Sequence, residues 1–124
     1  MNIDNLERNA ELRNNLLSEA ICKMQRELEA ASKDESNPFF NSKYANLEAV
    51  VAACREPLFK NGLSVTQHLR IGESPYLETV LRHKSGEFIT SECPLLFQKQ
   101  DMQAMGSAIT YARRYALAAI CGIV

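Results

Sequence analysis

The signatures that would mark these 124 residues as an enzyme are missing. There is no G-x-x-x-x-G-K-[ST] phosphate loop, no G-x-G-x-x-G dinucleotide fingerprint and no G-x-S-x-G nucleophile elbow. The two histidines, His68 and His83, stand in no nucleophile–base pattern, and no pair of carboxylates has the spacing of a metal-dependent nuclease. No catalytic residue, metal or cofactor is therefore expected. Cys22, Cys54, Cys93 and Cys121 are too scattered for a structural zinc site, which needs clustered ligands; each reads as a small buried hydrophobe among apolar neighbours. No apolar run approaches the ~20 residues of a membrane span. The first residues, MNIDNLERNAEL, are charged from the fourth on, so no signal peptide is expected, and the expectation is a cytoplasmic protein without membrane contact.

Net charge is also scarce. At −1, the chain is not a uniformly basic nucleic-acid binder, and its asymmetry is mild: −3 over residues 1–36 and +2 over residues 37–124. Any phosphate-binding surface has to be local. What the chain does have is apolar patterning, with 46% hydrophobic and 23% charged residues, as in a globular domain that buries a core without staples.

The pattern predicts one domain over 1–124. Residues 4–32 read as a long N-terminal helix, with Leu6, Ala10, Leu17, Ala20, Ile21, Met24, Leu28 and Ala31 at helical spacing. A helix of that length fits packing on a neighbouring subunit as well as on its own sheet. The stretch 33–45 is a loop rich in aromatics, with Phe39, Phe40 and Tyr44. A second helix starts after Asn46, a good N-cap, buries Val50, Val51, Cys54 and Leu58, and stops at Asn61-Gly62. The period then changes to two. Segments 63–71, 76–83 and 88–97 read as strands joined by the short turns GESP and KSGE, with Pro94 interrupting the third. A final helix spans 102–120. The class is α+β: a three-stranded antiparallel meander with helices packed on it.

The final helix carries the sharpest feature. At about 100° per residue, Gln103, Ser107, Thr110, Tyr111 and Arg114 fall in one polar stripe, and Met105, Ile109, Ala112, Ala116, Ile120 and Ile123 lie opposite. Arg113 sits on the shoulder and Tyr115 at the boundary. No acidic residue follows Asp101. Arginine beside small hydroxyls suits a phosphate backbone, because its planar fork meets two oxygens at once, and tyrosine offers a ring for a base. The same arginines could instead pair with Glu78 or Glu87 on the sheet and serve the fold. Lys43 and Tyr44 lie at the start of the second helix, where the dipole favours anions. Arg82, His83 and Lys84 form a basic hairpin tip that reads most simply as a solvated turn. His68 shares a polar strand face with Ser64, Thr66 and Arg70 and reads as exposed.

Three blocks, NPFFNSKYANLEAVV…PLFKNGLSV, LETVLRHKSGEFI and QAMGSAITYARRYALAAICGI, resemble the ERF (essential recombination function) family of phage single-strand annealing proteins. The resemblance covers roughly residues 33–123, and the last block is the most specific. It implies ATP-independent binding of single-stranded DNA and annealing of complementary strands, by a homo-oligomeric ring or filament whose core resembles the eukaryotic ring-forming annealing recombinases. The motif positions it carries over are Lys43, Tyr44, Arg82, Lys84, Gln103, Ser107, Thr110, Tyr111, Arg113 and Arg114. Family members usually continue with a variable C-terminal region beyond the matching blocks. The alternative from the residues themselves is an oligomeric scaffold or partner-binding module without DNA affinity.

Overall fold

A computed structural model describes residues 3–32 and 46–123, and within the first helix the side chains of Asp4 and residues 15–29. The order is α1 (Ile3–Ser32), α2 (Leu47–Lys60), β1 (Leu63–Ile71), β2 (Pro75–His83), β3 (Phe88–Pro94) and α3 (Met102–Cys121). This is the expected α+β arrangement of three helices and a three-stranded antiparallel sheet, ordered β1-β2-β3. The aromatic loop at 33–45, with Lys43 and Tyr44, lies outside the described residues.

Local chemistry sets the element ends. The Asn46 side chain accepts from the Ala49 amide at 2.9 Å, satisfying one of the open donors at the start of α2. Asp101 does the same for α3, accepting from the Ala104 amide at 2.7 Å. Helix α2 runs through Pro57 and ends at Gly62, whose φ of +66° a side chain would strain. A Cβ there would also lie 2.9 Å from Cδ of Lys84, whose stem crosses the glycine. Strand β3 stops at Pro94 rather than continuing to 97, because proline has no N–H for the ladder. The next amide, Leu95, turns back to the Pro75 carbonyl at 3.1 Å.

Register assigns the faces. Leu63, Val65 and Gln67 of β1 pair with His83, Leu81 and Thr79 of β2, and this face looks toward the helices. Ser64, Thr66, His68 and Arg70 share the opposite face with Tyr76, Glu78, Val80 and Arg82. His68 is half-buried there rather than exposed, with its Nε2 2.8 Å from Thr66 Oγ1.

Two apolar clusters fill the space between sheet and helices. The larger joins Leu17, Ala20, Met24 and Leu28 of α1 to Val50, Cys54 and Leu58 of α2, Leu63 and Leu81 of the sheet, and Leu117 and Cys121 of α3. Among the described side chains of α1, those between Leu17 and Leu28 pack on this core. The smaller cluster sets Ala112, with Ile109 and Ala116, against Leu77 and Leu95.

Helix α3 departs from its expected pattern at its C-terminal half. Leu117 is buried although it lies toward the polar side of a regular helical projection, and so does Cys121, which is buried as its apolar neighbours led one to expect. The cause is tertiary: α1 and α2 cover that side where α3 passes them. Two cysteines also depart. Cys22 is exposed, one helical step off the α1 stripe, and Cys93 is partly exposed near the end of β3. Cys54 and Cys121 face one another in the core. Their hydrogen bond, together with burial, pushes the Cys121 thiol far above the ordinary thiol range.

Two outcomes follow. Met24→Ala, at a side chain with no exposure, should cost about 2–5 kcal/mol in urea denaturation, whereas Leu16→Ala, at a 46% exposed position, should cost less than about 1 kcal/mol. A thiol reagent applied to the native protein should modify Cys22 first and should reach Cys54 and Cys121 only on unfolding, as read by mass spectrometry of the labelled peptides.

Candidate nucleic-acid interface

The polar stripe of α3 survives in three dimensions. Gln103, Ser107, Thr110, Tyr111 and Arg114 line a single groove of about 600 Å³, closed on its other side by Asn46 and Leu47 at the start of α2. Gly106 forms part of the floor, so there the groove is walled by backbone. Thr110 turns its hydroxyl back to the Gly106 carbonyl at 3.0 Å. That bond occupies the hydroxyl proton but leaves its lone pairs available.

Arg114 is held over two aromatic rings. Its guanidinium carbon lies 5.2 Å from the Tyr111 ring centre and 4.7 Å from that of Tyr115, and Nη2 donates to the Tyr115 hydroxyl at 2.9 Å. The two rings are themselves 6.4 Å apart and nearly parallel, at 15°. Both tyrosines are more than half exposed, at 57% and 61%. The arrangement places a planar cation and two accessible ring faces side by side at the mouth of the groove. Such a set can engage a phosphate with the guanidinium edge and a base with a ring face.

Tyr115 was legible only as a boundary residue. Its signal in the sequence is its spacing, four residues after Tyr111, which stacks side chains on one helix face. Asn46 and Leu47 had no such signal, because only the tertiary fold brings α2 to the groove.

Arg113 does a different job. Its Nε donates to Gln67 Oε1 at 3.1 Å, while Gln67 Nε2 donates to the Arg113 carbonyl at 3.2 Å and to Thr79 Oγ1 at 3.1 Å. Arg113 is thereby fastened to β1, and it lines a separate cavity of about 300 Å³ with Val65 and Leu117. The alternative partners are engaged elsewhere: Glu78 pairs with Arg70 at 3.3 Å, and Glu87 accepts from the Ser85 hydroxyl at 2.6 Å. The side-chain partner of Arg113 is thus a glutamine rather than a carboxylate.

The hairpin residues are not brought to the α3 groove. Arg82 lies on the sheet face opposite the helices, 5.7 Å over the Phe88 ring. Lys84 goes to the far end of α2, beside Lys60. The tip is not simply solvated either, because His83 is buried at 6% exposure. Strand register explains this. His83 continues the series Leu77, Thr79 and Leu81, all on the helix-facing side of β2.

Among the described residues no group of acidic, histidine and cysteine side chains could hold a metal ion, and no helix is long and apolar enough to cross a membrane. No curated protein and no solved structure significantly matches the chain. A family model does match, over residues 17–124, and so takes in the packed part of α1 ahead of the blocks that carried the resemblance. With most of its length matched by that model, the chain belongs to the ERF superfamily.

Proposed function

We propose that this protein binds single-stranded DNA along the α3 groove and anneals complementary strands without ATP, as a homo-oligomer acting in the host cytoplasm during phage recombination. Membership of the ERF superfamily implies an annealing protein of phage recombination rather than a catalyst. The observation that carries the finer reading is the convergence of Gln103, Ser107, Thr110, Tyr111 and Arg114 on one groove, with Arg114 lying over two exposed tyrosine rings. Phosphates would take the arginine and hydroxyls, and a base would take a ring face, leaving base edges for the complementary strand. Residues 1–124 would act as one binding domain, with Lys43 and Tyr44 among its DNA-binding positions.

A single domain of net charge −1 holds only a short length of strand. Assembly multiplies such sites, because each later contact is intramolecular. Two features support assembly. Among the described residues both outer strands of the sheet have an unpaired edge, and each carries exposed apolar residues: Leu69 and Ile71 on β1, Phe88 and Ile89 on β3. Leu96 and Met102, just beyond β3, are more than 80% exposed. Apolar residues along open edges are surfaces that another copy could cover.

The two arginines separate the reading from a purely structural one. Arg114→Gln should weaken binding of a labelled oligonucleotide in fluorescence anisotropy and reduce the slope of log affinity against log salt by about 0.7, the value of one phosphate on a single strand. Tyr111→Ala should weaken binding roughly 5- to 150-fold, from about 1–3 kcal/mol of stacking per base. Arg113→Ala should act mainly on stability, because its partner is Gln67. Wild-type affinity and salt slope in Arg114→Gln would remove the groove assignment. The assembly reading predicts a multimer in light scattering, shifted toward smaller species by Leu69→Glu with Ile71→Glu.

A further inference from the structure

The far end of α2 holds a further cavity, of about 270 Å³, that the α3 groove does not explain. It is bounded by α1, the end of α2 and the β2–β3 hairpin, and three lysines line it: Lys23, Lys60 and Lys84. Helix α2 has 14 residues, so at about 1.5 Å per residue this corner lies about 20 Å from the groove at the helix start.

His83 makes this corner more than a surface cluster. The residue is only 6% exposed, yet it lines the cavity. Its Nδ1 lies 3.1 Å from the Ser85 backbone amide, which can only donate. Nδ1 is therefore the acceptor, and the ring proton sits on Nε2. That Nε2–H has no hydrogen-bond partner among the described residues. His83 thus lines the cavity together with three lysines, and its ring keeps one donor without a hydrogen-bond partner among the described residues.

The surroundings favour an anion over a cation. Glu19 also lines the cavity and pairs with Lys23 at 3.1 Å, but Lys60 and Lys84 make no ion pair among the described residues, so positive charge is in excess. Glu87 shares the hairpin but turns one oxygen to Ser85 and does not line the cavity. The carbonyls ending α2 are already taken by the Asn61 side chain and by the amides of Asn61 and Gly62. Lys84 is aimed by two contacts: its amide donates to the Gly62 carbonyl at 2.9 Å, and its stem lies across the Cβ-less face of Gly62.

We propose that this corner is an oxyanion site of phosphate type, taking one phosphate group between His83 Nε2–H and the ammonium groups of Lys60 and Lys84. The phosphate is either carried on a nucleic-acid backbone or free. The site is independent of the α3 groove.

The test follows His83 by long-range proton–nitrogen NMR in the full chain. Inorganic phosphate, titrated against chloride at matched ionic strength, should shift Nε2 saturably, with the Ser85 amide as an internal check on the fold. Lys60→Gln with Lys84→Gln should weaken the response at least tenfold. These lysines are exposed, so folding should be retained. A 5′-hydroxyl oligonucleotide that moves Nε2 more strongly than free phosphate identifies a backbone phosphate, and the reverse order identifies free phosphate. Arg114→Gln should leave the phosphate titration unchanged even where it abolishes oligonucleotide binding, so failure of one site is distinguishable from failure of the other. No shift with either anion, or an equal shift in the double lysine variant, would overturn the proposal.

Discussion

Helix α3 must satisfy two apolar clusters at once, and most of the molecule's geometry follows from that. Its middle lays Ile109, Ala112 and Ala116 on the end of the sheet. Its second half presents Leu117 and Cys121 to a core built by α1, α2 and the start of β1. Burial on both sides leaves the helix little freedom to rotate about its axis. The sector that remains, from Gln103 to Arg114, is therefore aimed at α2 by the packing of its neighbours rather than by its own polarity. Burial of each large apolar side chain contributes about 1.5–3 kcal/mol, far more than any exposed polar contact on the opposite face.

The two adjacent arginines show how this aim divides labour. Arg113 rests above the sheet and closes a reciprocal pair with Gln67, which also holds Thr79. Arg114 points away and lies on tyrosine rings. Neighbours about 100° apart on a helix cannot share a target. The basic residues of the chain are accordingly dispersed: Arg114 at one end of α2, Lys60 and Lys84 at the other, and Arg82 beneath the sheet. With so little net charge, local placement sets where an anion is attracted, and bulk attraction contributes little.

Periodicity made much of this readable in the sequence. The stripe of Leu17, Met24 and Leu28, the alternation through β1 and β2, and the cap at Asn46 all encode local structure in local spacing. The α3 polar stripe was readable for the same reason. What was not readable depends on partners distant in sequence. Leu117 looks peripheral until two other helices cover it. Gln67, 46 positions from Arg113, cannot be picked out as its partner by spacing. His83 looked like part of a solvated turn because the hairpin sequence is polar, while the strand register that buries it extends through four alternate residues of β2.

Gly106 shows what the groove costs the fold. A glycine inside a helix gives up roughly 0.5–1 kcal/mol relative to alanine. Here an added Cβ would meet no atom within 4 Å, so sterics do not demand the omission. The helix tolerates a weaker position at the point where its own backbone forms the floor between Gln103 and Thr110. Stability and access are therefore opposed at this residue. A single methyl group there would strengthen α3 while making its groove shallower.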